Sequence, residues 1–340
     1  MDEEHAPGWD AIDAALEKLY GQQKPLHFGA SVPFAAGGED PLTGISVYKS
    51  KLGGRAHWHF VTYGFSELFD KESDDPSTSG YGFEMTVRVV DPESKDEPPK
   101  WVLSLLQNLA RYVFNSGNVF EAGHYTTLNG PIALGRETQL VAAAFAQDPE
   151  LETMTTEHGE VAFVQLVGLT GDEYDAIRDW DSAKMTALMQ EKDKALLTDL
   201  VRESTLKDKV FAKKVKEGVE KEGSSMAAVF STKGEIDAEK RIFGVAANSL
   251  EDLGRLLRGR LPFGRDATLI WPGGSATIVA GDETKIDDDT LTLSEADRKA
   301  ILEIPVKRGD YPLPSGKVTL QVIPIKILDG KRKKVERTVG

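Results

Sequence analysis

The strongest constraint on the fold of this chain is strict alternation between residues 83 and 90. Apolar and polar side chains take turns in the order Phe83, Glu84, Met85, Thr86, Val87, Arg88 and Val89. A period of two is the repeat of a β-strand, whose successive side chains point to opposite faces. The pattern predicts a half-buried strand whose polar face is exposed to water.

Other helices and strands are indicated along the chain. Apolar residues at helical spacing predict a first helix that ends at Gly21, and a second, over 101–114, that follows Pro98 and Pro99. Further strands are predicted over 57–63, 161–169, 267–270, 275–280 and 318–323, and further helices over 250–258 and 295–302. Residues 140–145 form another short apolar run. On these patterns alone the chain is an α/β protein.

Two domains are expected, because 340 residues is about twice the usual length of one domain. The charged stretch 201–222 has few large apolar residues and predicts a solvated helix or linker. Glycines and serines follow it, so we place the domain boundary near residue 230. The first domain is then 1–230, which includes the charged helix or linker 201–230, and a smaller α/β domain is 231–340.

Charge is distributed unevenly over these two parts. Residues 1–230 hold 22 Lys and Arg against 38 Asp and Glu, a net charge of -16, whereas residues 231–340 hold 19 against 17, a net charge of +2. The acidic first part argues against nucleic acid as a partner and favours solubility or a basic partner. The basic tail 331–337 could touch an anionic surface, but a solubilising tail is the favoured explanation.

Several classes of protein are excluded or disfavoured by composition. The chain has no cysteine, which excludes disulfides and thiolate sites and fits a reducing cytoplasm. No apolar run approaches the roughly 18 residues of a membrane span, and the acidic start does not resemble a secretory signal. Motifs for a phosphate loop, a serine nucleophile elbow or a zinc-binding helix are absent. We therefore expect a cytoplasmic protein without a membrane partner.

One local pattern suggests a metal site. His57 and His59 lie on one face of the predicted strand 57–63, and Glu84 could join them if the strand 83–90 pairs beside it. Two histidines and a carboxylate are a ligand set for zinc or iron. A metal-dependent enzyme is thus one alternative, and histidines that are simply hydrogen-bonded on a half-buried face are the other.

Longer stretches resemble the suppressor-of-fused family. The ordered motifs are 37–42 (GGEDPL), 57–68 (HWHFVTYGFSEL), 79–88 (SGYGFEMTVR) and 109–114 (LARYVF). The resemblance covers about residues 8–230 and extends more weakly into the C-terminal part. It implies an α+β or mixed α/β fold of two domains, each a mixed β-sheet with flanking helices, with a cleft between them. It also associates His57 and His59 with the fold rather than with a metal.

The resemblance further implies a protein without catalytic activity, cofactor or metal. In animals the family binds Gli transcription factors as a negative regulator, and its two domains close on a short peptide that adds as a β-strand. Bacterial relatives, which this chain resembles, are proposed to be immunity proteins against toxins. The expected partner is accordingly a protein or peptide, with a toxin as one candidate.

Residues that bind the partner can be carried over from the family one at a time. Tyr112 matches the tyrosine of the LARY motif, and Phe120 matches the aromatic residue before the binding strand. His124 and Gln147 stand where the family has acids, and Asp148 follows Gln147 directly. We predict that these residues line the cleft. The loss of both acids argues against a Gli peptide, because those acids bind a histidine of that peptide.

Overall fold

A computed structural model describes residues 5–32, 34–94, 96–328 and 335–340 of the chain. By packing, the chain divides into two compact units. The first contains residues up to 175 together with 182–212, and the second contains 176–181 together with 213–340. The boundary near residue 230 stays a prediction. Part of the basic tail, 331–334, lies outside the described residues.

The first unit is built on one mixed β-sheet. Its strands are β1 (Leu26–Gly29), β2 (Gly44–Ser50), β3 (His57–Tyr63), β4 (Thr78–Val90), β5 (Tyr125–Thr127), β6 (Leu140–Gln147), β7 (Met154–Thr156), β8 (Gly159–Thr170) and β9 (Thr198–Asp199). The strand order is β1-β2-β3-β4-β8-β6-β5. In addition, β7 pairs with β8, and β9 pairs with β4. Strand β4 runs parallel to β8 and β9, and the other pairs are antiparallel.

Helices cover the strands of this sheet. They are α1 (Pro7–Tyr20), α2 (Lys100–Ser116), α3 (Gly171–Asp179), α4 (Ser182–Lys192) and α5 (Lys209–Glu222), of which α3 and α5 have residues in both units. Leu106 and Val113 of α2 pack with Met85 in one apolar core, and Leu16 of α1 packs with Tyr63 in another. As predicted, α1 ends at a glycine. None of the described helices is long and apolar enough to span a membrane.

The polar face of β4 is not exposed to water, so that part of the prediction is wrong. Glu84, Thr86 and Arg88 are all 0% exposed. Arg88 donates to both carboxylate oxygens of Asp148, at 2.5 and 3.1 Å, and to Glu150 at 2.9 Å. Alternation in a sequence separates the two faces of a strand, but it does not reveal that a distant carboxylate replaces water on one of them.

The second unit contains two sheets, one more than expected. Its strands are β10 (Ala228–Phe230), β11 (Gly234–Asp237), β12 (Ile242–Ala246), β13 (Ala267–Trp271), β14 (Gly274–Ala280), β15 (Lys285–Asp287), β16 (Thr290–Leu293), β17 (Gly309–Pro312), β18 (Thr319–Ile323), β19 (Ile325–Leu328) and β20 (Val335–Val339), and its helices are α6 (Leu250–Gly259) and α7 (Glu295–Leu302). The orders are β10-β13-β14-β16-β15 and β11-β12-β18-β17, and β19 and β20 form a separate hairpin. Both units are therefore mixed α/β, as the resemblance implied.

The charged stretch 201–222 proves to be more ordered than a solvated linker. Helix α5 occupies most of it and buries Phe211 and Val215, which are 3% and 4% exposed. Its remaining length carries exposed Lys–Glu pairs one helical turn apart, such as Lys213 with Glu217. Two apolar side chains at i and i+4 are enough to attach one side of a helix while the other side stays charged.

Candidate functional site

Helix α2 holds Tyr112 on the surface of the first unit. The ring of Tyr112 lies 5.7 Å from that of Phe120, which in turn stacks on Phe145 of β6 at 4.2 Å. Tyr112 is 48% exposed, whereas Phe120 is 7% exposed and Phe145 is 0% exposed. The predicted pair Tyr112 and Phe120 is therefore brought together, as a half-exposed tyrosine on a buried aromatic base.

Two more predicted residues lie around the same phenylalanine. The backbone carbonyl of His124 accepts a hydrogen bond of 2.9 Å from the Phe145 amide, and the His124 ring accepts one of 3.2 Å from the Glu121 amide. Gln147 lies two residues beyond Phe145 on β6 and so points to the same face of the sheet. Both His124 and Gln147 are exposed. Tyr112, Phe120 and His124 are thus brought together around Phe145, while the Gln147 side chain donates to the Leu151 carbonyl at 3.0 Å.

Asp148 occupies the other side of the sheet. It is 4% exposed and accepts hydrogen bonds from Arg88 and from the Thr86 hydroxyl at 2.7 Å. Burial alone would raise the pKa of Asp148, but the hydrogen bonds and charges of His59 and Arg88 outweigh burial and hold this pKa well below its usual range. The carboxylate is thus ionised and bound within the unit. Its contribution to partner binding stays a prediction.

A groove of about 590 Å³ runs beside Tyr112 and Phe120. One side is formed by α2, with Trp101 and Leu105, and the other by the segment 126–134, with Ile132. None of the described residues that line it carries a charged side chain. This groove suits apolar side chains and would leave a charged group without a partner.

The groove borders an edge strand of the sheet. Strand β5, whose Thr126 and Thr127 line the groove, is the last strand of its sheet and pairs only with β6 in the described part of the chain. The second unit has an edge of its own at β10, where Phe230 is 80% exposed. An edge strand presents unpaired N–H and C=O groups that can pair with another chain. Neither edge was predicted, because three-residue strands carry too little periodicity to be recognised.

The predicted metal ligands are not assembled. His59 pairs with Arg88 across β3 and β4, and Glu84 lies four residues further along β4, about 13 Å away. Glu84 instead accepts hydrogen bonds from Thr62 and from the Gly64 and Ser66 amides, and burial raises its pKa to about 7. No group of three His, Asp or Glu side chains among the described residues could hold a metal ion. The metal-dependent alternative is therefore wrong in its ligand set.

The two histidines have structural hydrogen bonds, as the simpler interpretation predicted. The His57 Nδ1 atom donates to the Arg55 carbonyl at 2.7 Å. The His59 Nδ1 atom accepts from the Tyr20 hydroxyl at 2.7 Å, and its Nε2 atom lies 3.4 Å from Asp148. Burial lowers the pKa of His59 to about 4, so the ring is neutral at pH 7. Both rings connect β3 to its surroundings.

Comparison with known proteins places these features in a family. The family model "Suppressor of fused protein (SUFU)" matches residues 38–203. The Suppressor of fused homologs of Mus musculus and Homo sapiens are each 32% identical to the chain in an alignment 240 residues long. That alignment covers 65% of this chain and 49% of each homolog. The chain thus spans about half the length of these relatives.

Solved structures agree on the fold. The crystal structure of Drosophila Suppressor of Fused superimposes with a TM-score of 0.77 at 21% identity, over 94% of this chain and 97% of the other. The Sufu-Fu complex crystal structure contains a chain that matches with a TM-score of 0.58 at 26% identity, over 63% of this chain and 98% of the other. The motifs, the family model and the homologs support a protein of the suppressor-of-fused family, and the solved structures agree on its fold.

Proposed function

We propose that this chain is a non-enzymatic regulator that binds an extended segment of a partner protein, in the cleft expected between its two domains. The observation that carries the proposal is the position of β5 at the edge of its sheet, beside an uncharged groove and the half-exposed Tyr112. The relative in the Sufu-Fu complex, whose name records a protein partner, supports the same class of function.

The physical basis is β-strand addition. A partner segment that pairs with the β5 edge gains main-chain hydrogen bonds, which supply affinity without regard to sequence. Alternate side chains of that segment point toward the groove, where apolar ones bury surface against Trp101 and Leu105. Tyr112, exposed on an aromatic base, is the kind of residue that dominates binding energy at protein interfaces.

The identity of the partner is the finer part of the proposal. His124 and Gln147 leave this surface without the two acids of the animal family, so the partner need not present a histidine or another cation there. A toxin is the first candidate, in line with the bacterial relatives that the sequence resembles, and the cytoplasm is the proposed site of the encounter.

The test is a pulldown with the whole chain, followed by measurement of the affinity of the identified partner. We expect Tyr112→Ala to weaken binding at least tenfold, because aromatic anchors at interfaces contribute about 2 kcal/mol or more. His124→Glu, which restores the family's charge, should also change the affinity. Val201→Ala, at an apolar residue that is 65% exposed elsewhere in the unit, is the matched control. Full affinity in both Tyr112→Ala and His124→Glu would refute the site.

A further inference from the structure

A second cavity of about 1000 Å³ lies in the first unit, away from the groove. It is formed by the C-terminal end of α1, the end of β2, the start of β3 and the residues that follow β4. Its volume is in the range of sites for small molecules. None of the residues that we propose for partner binding belongs to its wall.

One part of the wall is apolar. Leu19, Leu52 and Trp58 contribute to it, and the Trp58 indole is fixed by a hydrogen bond of 2.6 Å from its N–H to the Ser94 carbonyl. The Trp58 side chain is 5% exposed, so it offers the cavity a small, preformed apolar surface. Aromatic or aliphatic groups would bury their surface there at little cost in side-chain entropy.

The charged residues of the wall differ in their partners. Its carboxylates already have arginine partners: Glu150 shares Arg88 with Asp148, and Asp91 shares Arg136 with Glu93. Lys49 and Lys51 form no ion pair with any described residue, and the Lys49 ammonium lies 5.1 Å from the centre of the Trp58 ring. The two lysines are therefore the charged side chains of the wall that have no ion-pair partner among the described residues.

We infer that this cavity binds a small anionic amphiphile, a molecule with a carboxylate or similar group on an apolar or aromatic body. Lys49 and Lys51 would pair with the anion, and Leu19, Leu52 and Trp58 would contact the body. A cation would have to compete with Arg88 and Arg136 for the carboxylates of the wall, and a polar sugar would leave its apolar part uncovered.

The test is calorimetric titration of the full chain with 2-naphthoate and with 2-naphthalenemethanol, which has the same rings without the charge. We expect naphthoate to bind about tenfold more tightly, since two exposed ion pairs together supply this much discrimination. Lys49→Gln combined with Lys51→Gln should abolish the preference. Lys100→Gln, at an exposed lysine outside the cavity, should retain it.

The indole N–H resonance of Trp58 gives an independent readout, and it should shift with naphthoate. Leu52→Glu, a change at a half-buried residue of a short turn, places a carboxylate in the wall and should weaken naphthoate binding even if the lysine variant is unstable. Equal affinity for the two probes, or a preference that survives loss of both lysines, would overturn the inference. Binding to vesicles with anionic lipid but not to naphthoate would overturn it as well, in favour of a membrane surface.

Discussion

The two faces of β4 are both closed to water, but by different means. The face toward α2 is apolar, and Met85 and Val87 lie in a continuous hydrophobic core. The face toward α1 is polar, and Arg88 is bound by Asp148, Glu150 and Gln165. Apolar burial stabilises in proportion to area, whereas a buried charge is tolerated only while each partner is present. The second face should therefore respond more sharply to single changes.

The largest expected effect is that of Arg88→Met. This change leaves the Asp148 carboxylate buried without its counterion, and we expect the free energy of unfolding to fall by about 4 kcal/mol. Urea denaturation followed by circular dichroism measures it. The double variant Arg88→Met with Asp148→Asn, which removes the unpaired charge, should recover part of the loss. A single variant that loses less than about 1 kcal/mol would show that the polar face is not held by this pair.

Met85→Ala tests the apolar face by the same measurement. Met85 is 0% exposed, and truncation of a buried methionine leaves a cavity that costs about 3 kcal/mol. No second substitution on this face should specifically restore the lost stability, because truncation of Met85 leaves no single side chain without its partner. A loss as dependent on salt or pH as that of Arg88→Met would erase the distinction between the two faces.

The pH dependence of stability separates Glu84 from its neighbours. The pKa of Glu84 is raised to about 7 by burial, so above its ordinary pKa the unfolded chain releases a proton that the folded chain retains. Its contribution to stability is present at low pH and is lost as the pH rises toward 7. We expect wild type to lose about 2 kcal/mol relative to Glu84→Gln between pH 4.5 and 7.

His59 and Asp148 act in the opposite sense, because the pKa of each is lowered in the folded state. Their contributions are lost on acidification, as the unfolded chain takes up protons that the folded chain does not. Comparison of each variant with wild type at each pH removes this shared background. Parallel stability curves for wild type and Glu84→Gln would contradict the assignment for Glu84.

Tyr20→Phe should have the smallest effect. It removes the hydroxyl that donates to His59 Nδ1, and a single hydrogen bond of this kind contributes about 1 kcal/mol. Denaturation gives the loss, and the ¹⁵N resonance of His59 Nδ1 should move because that atom loses its donor. An unchanged resonance would mean that the hydroxyl does not bind the ring.

Periodicity predicted which residues share a face of β4 and where α1, α2, α6 and α7 lie, because those elements are long enough for their repeats to stand out. Periodicity could not predict that the polar face of β4 is buried away from water. That outcome depends on Asp148, which lies 60 positions from Arg88 in the chain. Sequence patterns record local repeats, whereas ion pairs between distant elements leave no local signal.

The resemblance named Tyr112, Phe120, His124 and Gln147 together, and their role in partner binding stays a prediction. Gln147 and Asp148 are neighbours at the end of a strand, and neighbours on a strand point to opposite faces. The sequence alone therefore places these two side chains on opposite sides of the sheet. The edge position of β5 could not be foreseen, since it follows from the pairing of β6 with β8 rather than from the residues of β5.

The buried Arg88–Asp148 pair also bears on how long the folded state lasts. An ion pair gains little until water is excluded around it, so this pair should form after the sheet has assembled. Interactions absent from the folding transition state act on the rate of unfolding and leave the rate of folding nearly unchanged. The polar face of β4 would then determine the lifetime of the native molecule, while the apolar face determines how quickly it forms.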